Sequence, residues 1–220
     1  MSVTPELAKW RKELRNCLLA ERCQVAPALH RQWSQHIESH LDQGFMGLAG
    51  LTVGLCWPYL AEFDARPFAQ KLMDSGSTLS LPVVIAPKTP LEFHRWHPQM
   101  EMATGVYDLP IPAHSHPVIP EVLLIPVVAI GDKGDRLGYG GGFYDRTLAS
   151  LPKKPICIAL AFEISRVSST DPQDHDVLMD FVITEKGIER VDGGGLSPIS
   201  SEQARQELAA LCHDRGFLPI

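Results

Sequence analysis

The chain has 220 residues, 45% hydrophobic and 21% charged, which is ordinary globular usage and excludes global disorder. Its 20 basic and 26 acidic residues leave a formal charge of -6, which argues against a broad basic face for nucleic acid. No apolar run reaches the roughly 20 residues of a membrane span, and the N-terminal stretch lacks the apolar centre of a signal peptide, so a soluble, cytoplasmic protein is expected.

Leu7, Trp10, Leu14, Cys17 and Leu18 recur at helical spacing, Pro27 breaks the pattern, and Trp33, Ile37 and Leu41 mark a second helix. The charges from Arg11 to Arg22 read equally as the solvated face of the first helix. From residue 50 the texture changes. GLTVGLCW, STLSLPVVIA, EVLLIPVVAI, PICIALAF and DFVIT are short apolar runs, nearly continuous rather than alternating, as strands buried on both faces require. Between the first two, Asp64 is expected to cap a helix over ARPFAQKLMDSG that Gly76 closes.

Residues 88–120 are rich in proline and histidine and predict a surface excursion, with LEFHRW as an edge strand. His94, His97, His114 and His116 form two close pairs there, but no Cys or Glu stands at metal-site spacing, so a zinc or nickel site is set aside.

The stretch that carries chemistry is EVLLIPVVAIGDKGDRLGYGGGFYDRTL, residues 121–148. A buried strand runs into a loop with Gly131, Gly134, Gly138, Gly140, Gly141 and Gly142, and a helix follows. Such a loop can turn successive N–H groups toward an anion, and the helix N-terminus adds partial positive charge. Lys133 and Arg136 supply full charges, and Asp145 can hold a metal on bound phosphates. The string is neither a Walker loop nor a dinucleotide fingerprint, because Phe143 stands at the third glycine position. On glycine count alone, a simple turn explains it as well.

Strands alternating with helices predict an α/β fold with a mostly parallel sheet covered on both sides. Gly193-Gly194-Gly195 predicts a linker, and Ser200 with Gln203 a capping box, so residues 1–190 form one domain and 191–220 a linker with an appended C-terminal helix. Five cysteines, with no C-x-x-C pair, fit reduced thiols. Cys157, inside an apolar run, is expected in the core.

RLGYGGGFYDR, from Arg136 to Arg146, closely resembles the signature RLG-x-G-x-G-[YF]-YD of the 5-formyltetrahydrofolate cyclo-ligase family. The resemblance extends over about residues 5–187. WPYLAEFD at 57–64 is similar to its substrate segment, and Leu91, Phe93 and Trp96 to its L-x-F-x-x-W. DHDVLMDFVITE at 174–185 matches its late HD motif, and Arg11, Leu14 and Arg15 its basic N-terminal K-x-x-L-R.

The resemblance implies a three-layer α/β/α sandwich and an ATP- and magnesium-dependent enzyme that makes 5,10-methenyltetrahydrofolate from 5-formyltetrahydrofolate. ATP would phosphorylate the formyl oxygen, N10 would attack the activated carbon, and ADP and phosphate would leave. The family pattern puts Arg11, Lys12, Arg15 and the run Arg136, Leu137, Gly138, Tyr139, Gly140, Gly141, Gly142, Phe143 and Tyr144 on ATP, with Lys133 added by its charge. Trp57, Glu62 and Tyr139 to Phe143 would contact the folate, with or without a polyglutamate tail. Asp145 and Asp176 would hold magnesium, and Arg136, Tyr144 and Asp145 would act on the reaction. A monomer or weak dimer is expected, with no nucleic-acid or membrane partner.

The chain departs from the pattern at Ile130-Gly131, where the family has Phe-Asp, and over residues 108–112, where Gly-Ile-x-Glu-Pro is usual. Ala65 replaces a common Thr, and Ser165 a common Gln. These changes keep open two alternatives: a nucleotide-binding relative without folate turnover, and a phosphate-handling enzyme with another small substrate.

Overall fold

A computed structural model describes residues 4–174 and 176–217; His175 of the late HD motif lies outside the described residues. Helices α1 (Pro5–Gln24) and α2 (Pro27–Gly44) come first. Each starts on a proline, whose missing N–H costs nothing in a first turn, so Pro27 both breaks the first helix and opens the second. Next come β1 (Thr52–Gly54), α3 (Arg66–Asp74), β2 (Thr78–Val83) and β3 (Glu92–Trp96). The excursion holds a small hairpin of β4 (Met102–Thr104) and β5 (Pro110–Pro112), then β6 (Pro117–Val118). Strands β7 (Val122–Pro126), β8 (Ala129–Gly131) and β9 (Arg136–Leu137) precede α4 (Phe143–Ser150). Finally come β10 (Ile156–Leu160), β11 (Arg166–Val167), β12 (Phe181–Thr184), β13 (Gly187–Asp192), β14 (Gly195–Ile199) and α5 (Ser201–Asp214).

Nine strands make one sheet in the order β14-β13-β12-β10-β7-β1-β2-β3-β6. The five central strands run parallel, and antiparallel strands flank them on both sides. The continuous apolar runs follow from burial on both faces. Val122, Leu124, Ile156 and Ile158 enter a core shared with α2, α3 and α5. Their neighbours Leu123, Ile125, Cys157 and Ala159 enter a second core with Leu148 of α4. Successive side chains thus serve opposite layers, and Cys157 is core as expected. A third, smaller cluster packs Leu14 and Leu18 of α1 on Val128, Ala129 and Leu137.

Four expectations need correction. EVLLIPVVAI is two strands: β7 lies in the large sheet, while β8 joins β9 and β11 in a separate three-stranded one. Pro126 ends β7, since it has no N–H to extend a ladder. LEFHRW forms β3, one strand in from the edge, because β6 pairs outside it. Asp64 is not the cap of α3. That position belongs to Ala65, and the Asp64 carboxylate instead binds the backbone N–H of Arg66 at 3.0 Å and its guanidinium at 2.7 and 2.8 Å.

The fourth concerns the triple glycine. It is the turn of the β13–β14 hairpin in the main sheet, where a linker was expected. Helix α5 does start on the Ser200–Gln203 capping box, and its Ala204, Leu208 and Cys212 are buried in the large core. At its end, the Arg215 guanidinium grips both carboxylate oxygens of buried Asp180, at 2.5 and 2.8 Å. The same carboxylate accepts from the Cys157 N–H at 2.8 Å.

Candidate active site

Arg11, Arg15, Leu18 and Arg22 are spaced four, three and four residues apart, which puts them on one face of α1. That face points inward. Leu18 fixes it by packing against Leu137 and Val128. Arg11 donates to the Thr170 and Asp171 carbonyls at 3.1 and 2.8 Å and to Asp176 Oδ2 at 2.6 Å. Arg15 donates to the Gly138 carbonyl at 2.7 Å. Its burial, then the nearby charge of Arg11, lowers the Arg15 pKa. Lys12 is exposed, off this face.

The glycine-rich stretch is two loops at opposite ends of a hairpin, because β9 pairs back on β8. Gly131 to Asp135 turn at one end, where Lys133 lies beside the β13–β14 turn. Residues 138–142 form the other loop, under α1 and ahead of α4. The structure therefore does not bring Lys133 together with the expected phosphate loop. Gly140 adopts φ +89° directly beneath the Arg15 guanidinium, so a side chain there would be strained and would crowd the arginine. Gly142, at φ +62°, is the N-cap of α4, and Arg146 folds back onto the Gly141 carbonyl. The Leu137 side chain is buried with Leu18, so only its backbone faces this loop.

Tyr139 links the loop to the segment around Glu62. Its hydroxyl donates to Glu62 Oε1 and accepts from Arg22 at 2.7 Å. Glu62 Oε2 accepts from the Tyr59 N–H at 2.9 Å. Between them, Leu60 and Ala61 take φ of 46° and 57°, strained conformations that a site must hold in place. Arg22 holds the Leu60 carbonyl at 2.9 Å, and His30 holds that of Ala61 at 3.1 Å. Glu62 is 5% exposed, and burial pushes its pKa up against the Tyr139 bond, the Arg22 charge and the Tyr59 bond. Beside this segment, Trp57 crosses Trp96 edge to face, and the Arg66 guanidinium lies 4.1 Å from the Trp57 ring centre. Together with Asp64, Pro67 and Pro98 they line a cavity of about 380 Å³.

Behind the loop, Tyr144 meets Cys56 with 2.8 Å between oxygen and sulfur. Burial drives the Tyr144 pKa well above its ordinary value and that of Cys56 to about 12, so both stay protonated at neutral pH. Phe143 stacks under Arg146. Asp145 Oδ1 accepts from Arg136 at 2.7 Å and from the Val177 N–H at 3.3 Å, which brings it within one residue of Asp176. Arg136 already offsets the Asp145 charge, so the carboxylate at the helix start does not by itself demand a cation. Among the described residues, no group of three or more His, Cys, Asp or Glu side chains stands ready for a metal, the excursion histidines included.

A family described as the 5-formyltetrahydrofolate cyclo-ligase family matches residues 7–185. The chain belongs to this family. A 5-formyltetrahydrofolate cyclo-ligase of Mycolicibacterium smegmatis is 28% identical over 184 residues, 80% of this chain and 94% of that protein. One of Escherichia coli is 31% identical over 140 residues, 60% of this chain and 77% of that protein. Among solved structures, a 5,10-methenyltetrahydrofolate synthetase of Aquifex aeolicus has a TM-score of 0.72 at 25% identity, covering 85% of this chain and 96% of that one.

Against the cyclo-ligase pattern, the missing Asp at Gly131 has a counterpart in space. The Asp135 carboxylate fills the room that a side chain at 131 would take, and it binds the N–H and hydroxyl of Thr170, both at 2.6 Å. Thr170 in turn holds Arg11. Reading the sequence missed Asp135, Tyr59, Cys56, Arg66 and Arg22. Two had a visible signal: Tyr59 lies inside the 57–64 segment, and Arg22 in the 11-15-18-22 stripe.

Proposed function

We propose that the chain converts 5-formyltetrahydrofolate and ATP to 5,10-methenyltetrahydrofolate, ADP and phosphate. The observation that carries this reading is the adjacency of two unlike subsites across one loop. Arg11, Arg15 and the start of α4 form a cationic side suited to phosphates. Glu62, Tyr139 and Trp57 form an aromatic and carboxylate side suited to the ring system and ring N–H groups of a folate. Tyr139 to Phe143 lie between the two, where a phosphoryl group would pass from ATP to the formyl oxygen.

An amide-like oxygen is a poor nucleophile and a worse leaving group, so the work of the protein is alignment and charge neutralisation. Arg11, Arg15 and Arg136 supply positive charge, and the loop N–H groups cradle the phosphates. Once the formyl oxygen is phosphorylated, N10 attacks the formyl carbon and phosphate departs. Tyr144, kept neutral, donates or accepts a hydrogen bond without carrying charge. Asp145 and Asp176 would hold magnesium through carboxylate oxygens that now accept from Arg136 and Arg11, and the ion would supply further neutralisation of the phosphates.

The family membership and the Asp135 counterpart support this reading over a relative without folate turnover. We take the protein to act in the cytoplasm as a monomer or weak dimer. The test is an absorbance assay for the methenyl product with purified protein, with and without ATP and magnesium. Product should form only with both. ATP binding without product would favour the non-catalytic relative.

A further inference from the structure

We infer that Arg22 is a positioning residue that holds Glu62 as an acceptor and sets Tyr139 against it, so that it governs the folate side of the site. The inference rests on the proposed role of Glu62 as a substrate contact. Arg22 is 3% exposed, at the inner end of the α1 stripe. Its guanidinium reaches three segments distant in sequence: the Leu60 carbonyl at 2.9 Å, the Val127 carbonyl at 3.1 Å and the Tyr139 hydroxyl at 2.7 Å. Its fourth neighbour is Glu62 Oε1, at 3.7 Å.

The bonds have one direction. An arginine only donates, so the Tyr139 oxygen accepts from Arg22 and its proton is left for Glu62. Glu62 then accepts on both oxygens, from Tyr139 and from the Tyr59 N–H. A protonated Glu62 would disturb this order. A carboxylate keeps free lone pairs on both oxygens for donors of a bound substrate.

Burial alone would favour the protonated form, and the net direction of the Glu62 pKa is upward. The groups facing Glu62 are Arg22 from α1, Tyr139 from the loop, the Tyr59 N–H, and, further off, Cys56 and Tyr144. His30 touches the same segment only through the Ala61 carbonyl. The Tyr139 hydrogen bond, the Arg22 charge and the Tyr59 N–H all oppose protonation, and Arg22, the one cation among them, also sets the direction of the Tyr139 bond.

The test compares Arg22→Gln and Arg22→Lys with wild type in two measurements. The first is the pH profile of kcat/KM. Arg22→Gln should lower kcat/KM about tenfold near pH 7 and move its acid limb to higher pH, with Arg22→Lys recovering part of the shift. The second is melting temperature against pH, which needs no turnover. A carboxyl whose folded pKa is raised stabilises fully below its unfolded value, and that stability is lost as pH rises through the folded value. Arg22→Gln should therefore melt further below wild type as pH rises from about 4 to 8. Adding Glu62→Gln should abolish that growth and leave a constant difference.

A deficit equal at every pH, with the acid limb unmoved, would reduce Arg22 to packing and overturn the inference. If wild type shows no turnover at all, the enzymatic reading fails, and the melting series still decides whether Arg22 governs Glu62.

Discussion

Asp145 is held from two sides, by Arg136 and by the Val177 N–H, and the Arg136 side chain is only 5% exposed. Asp145→Asn keeps the shape but removes the charge that Arg136 needs, which should cost about 1–3 kcal/mol of stability. If Asp145 also serves the reaction, turnover per folded molecule should fall about a hundredfold or more, and added magnesium should restore only part of it. Thermal melts and single-turnover rates on the same samples separate the two losses. A variant that is less stable but turns over normally would leave Asp145 a structural partner of Arg136. The thiols give a second check. Cys17 and Cys23 are exposed, Cys157 and Cys212 are buried, and Cys56 is pushed to about 12. An exposed-thiol reagent at pH 8 should react with two cysteines in the native protein and five after unfolding. Glu62 could be named only through the family resemblance, whereas Asp145 and the glycines also stood out by their place in the loop. Arg22 showed only as part of the α1 stripe and Asp135 not at all, because their meaning lies in partners 117 and 35 residues away.

At the scale of elements, the helices and the five buried strands could be read from the sequence, since apolar period and proline placement act locally. The division of 121–130 between two sheets could not, although Pro126 marks the place. The end of the chain misled because a triple glycine suits a tight hairpin turn as well as a linker, and only pairing distinguishes them. Pairing and burial make this end part of the main body. Deleting the chain from Gly193 onward removes β14 and α5, uncovers the core around Ile188 and Ile37, and strips Asp180 of Arg215. The truncated protein should be insoluble rather than active, as expression and circular dichroism would show. Two single changes grade the effect. Leu208→Ala should cost about 2–5 kcal/mol for its cavity. Arg215→Ala should cost about 3–5 kcal/mol, because the Asp180 carboxylate stays buried without its main partner. Urea titrations measure both, and losses under 1 kcal/mol would mean that α5 is loosely attached.

For the whole molecule, the same packing predicts one cooperative transition. Helix α5 shares its core with α2 and the large sheet, and α1 is tied to the far end of the chain through Arg11. Tryptophan fluorescence, reporting from α1, α2 and the cavity of Trp57 and Trp96, should therefore unfold together with far-ultraviolet circular dichroism. An early, separate loss of helical signal would argue for an independent tail. The arginine stripe of α1 also has a consequence for synthesis. Arg11 finds its carbonyl partner 159 residues later, at Thr170. At ordinary translation rates of about 5–20 residues per second, a growing chain waits roughly ten to thirty seconds between making the helix and making its socket. Through that interval Arg11 lacks its partners, while Arg22 and Arg15 meet theirs earlier, at Leu60 and Gly138. A chain cut short before residue 170 keeps the first helix but leaves Arg11 without the carbonyls and carboxylate that hold it in place.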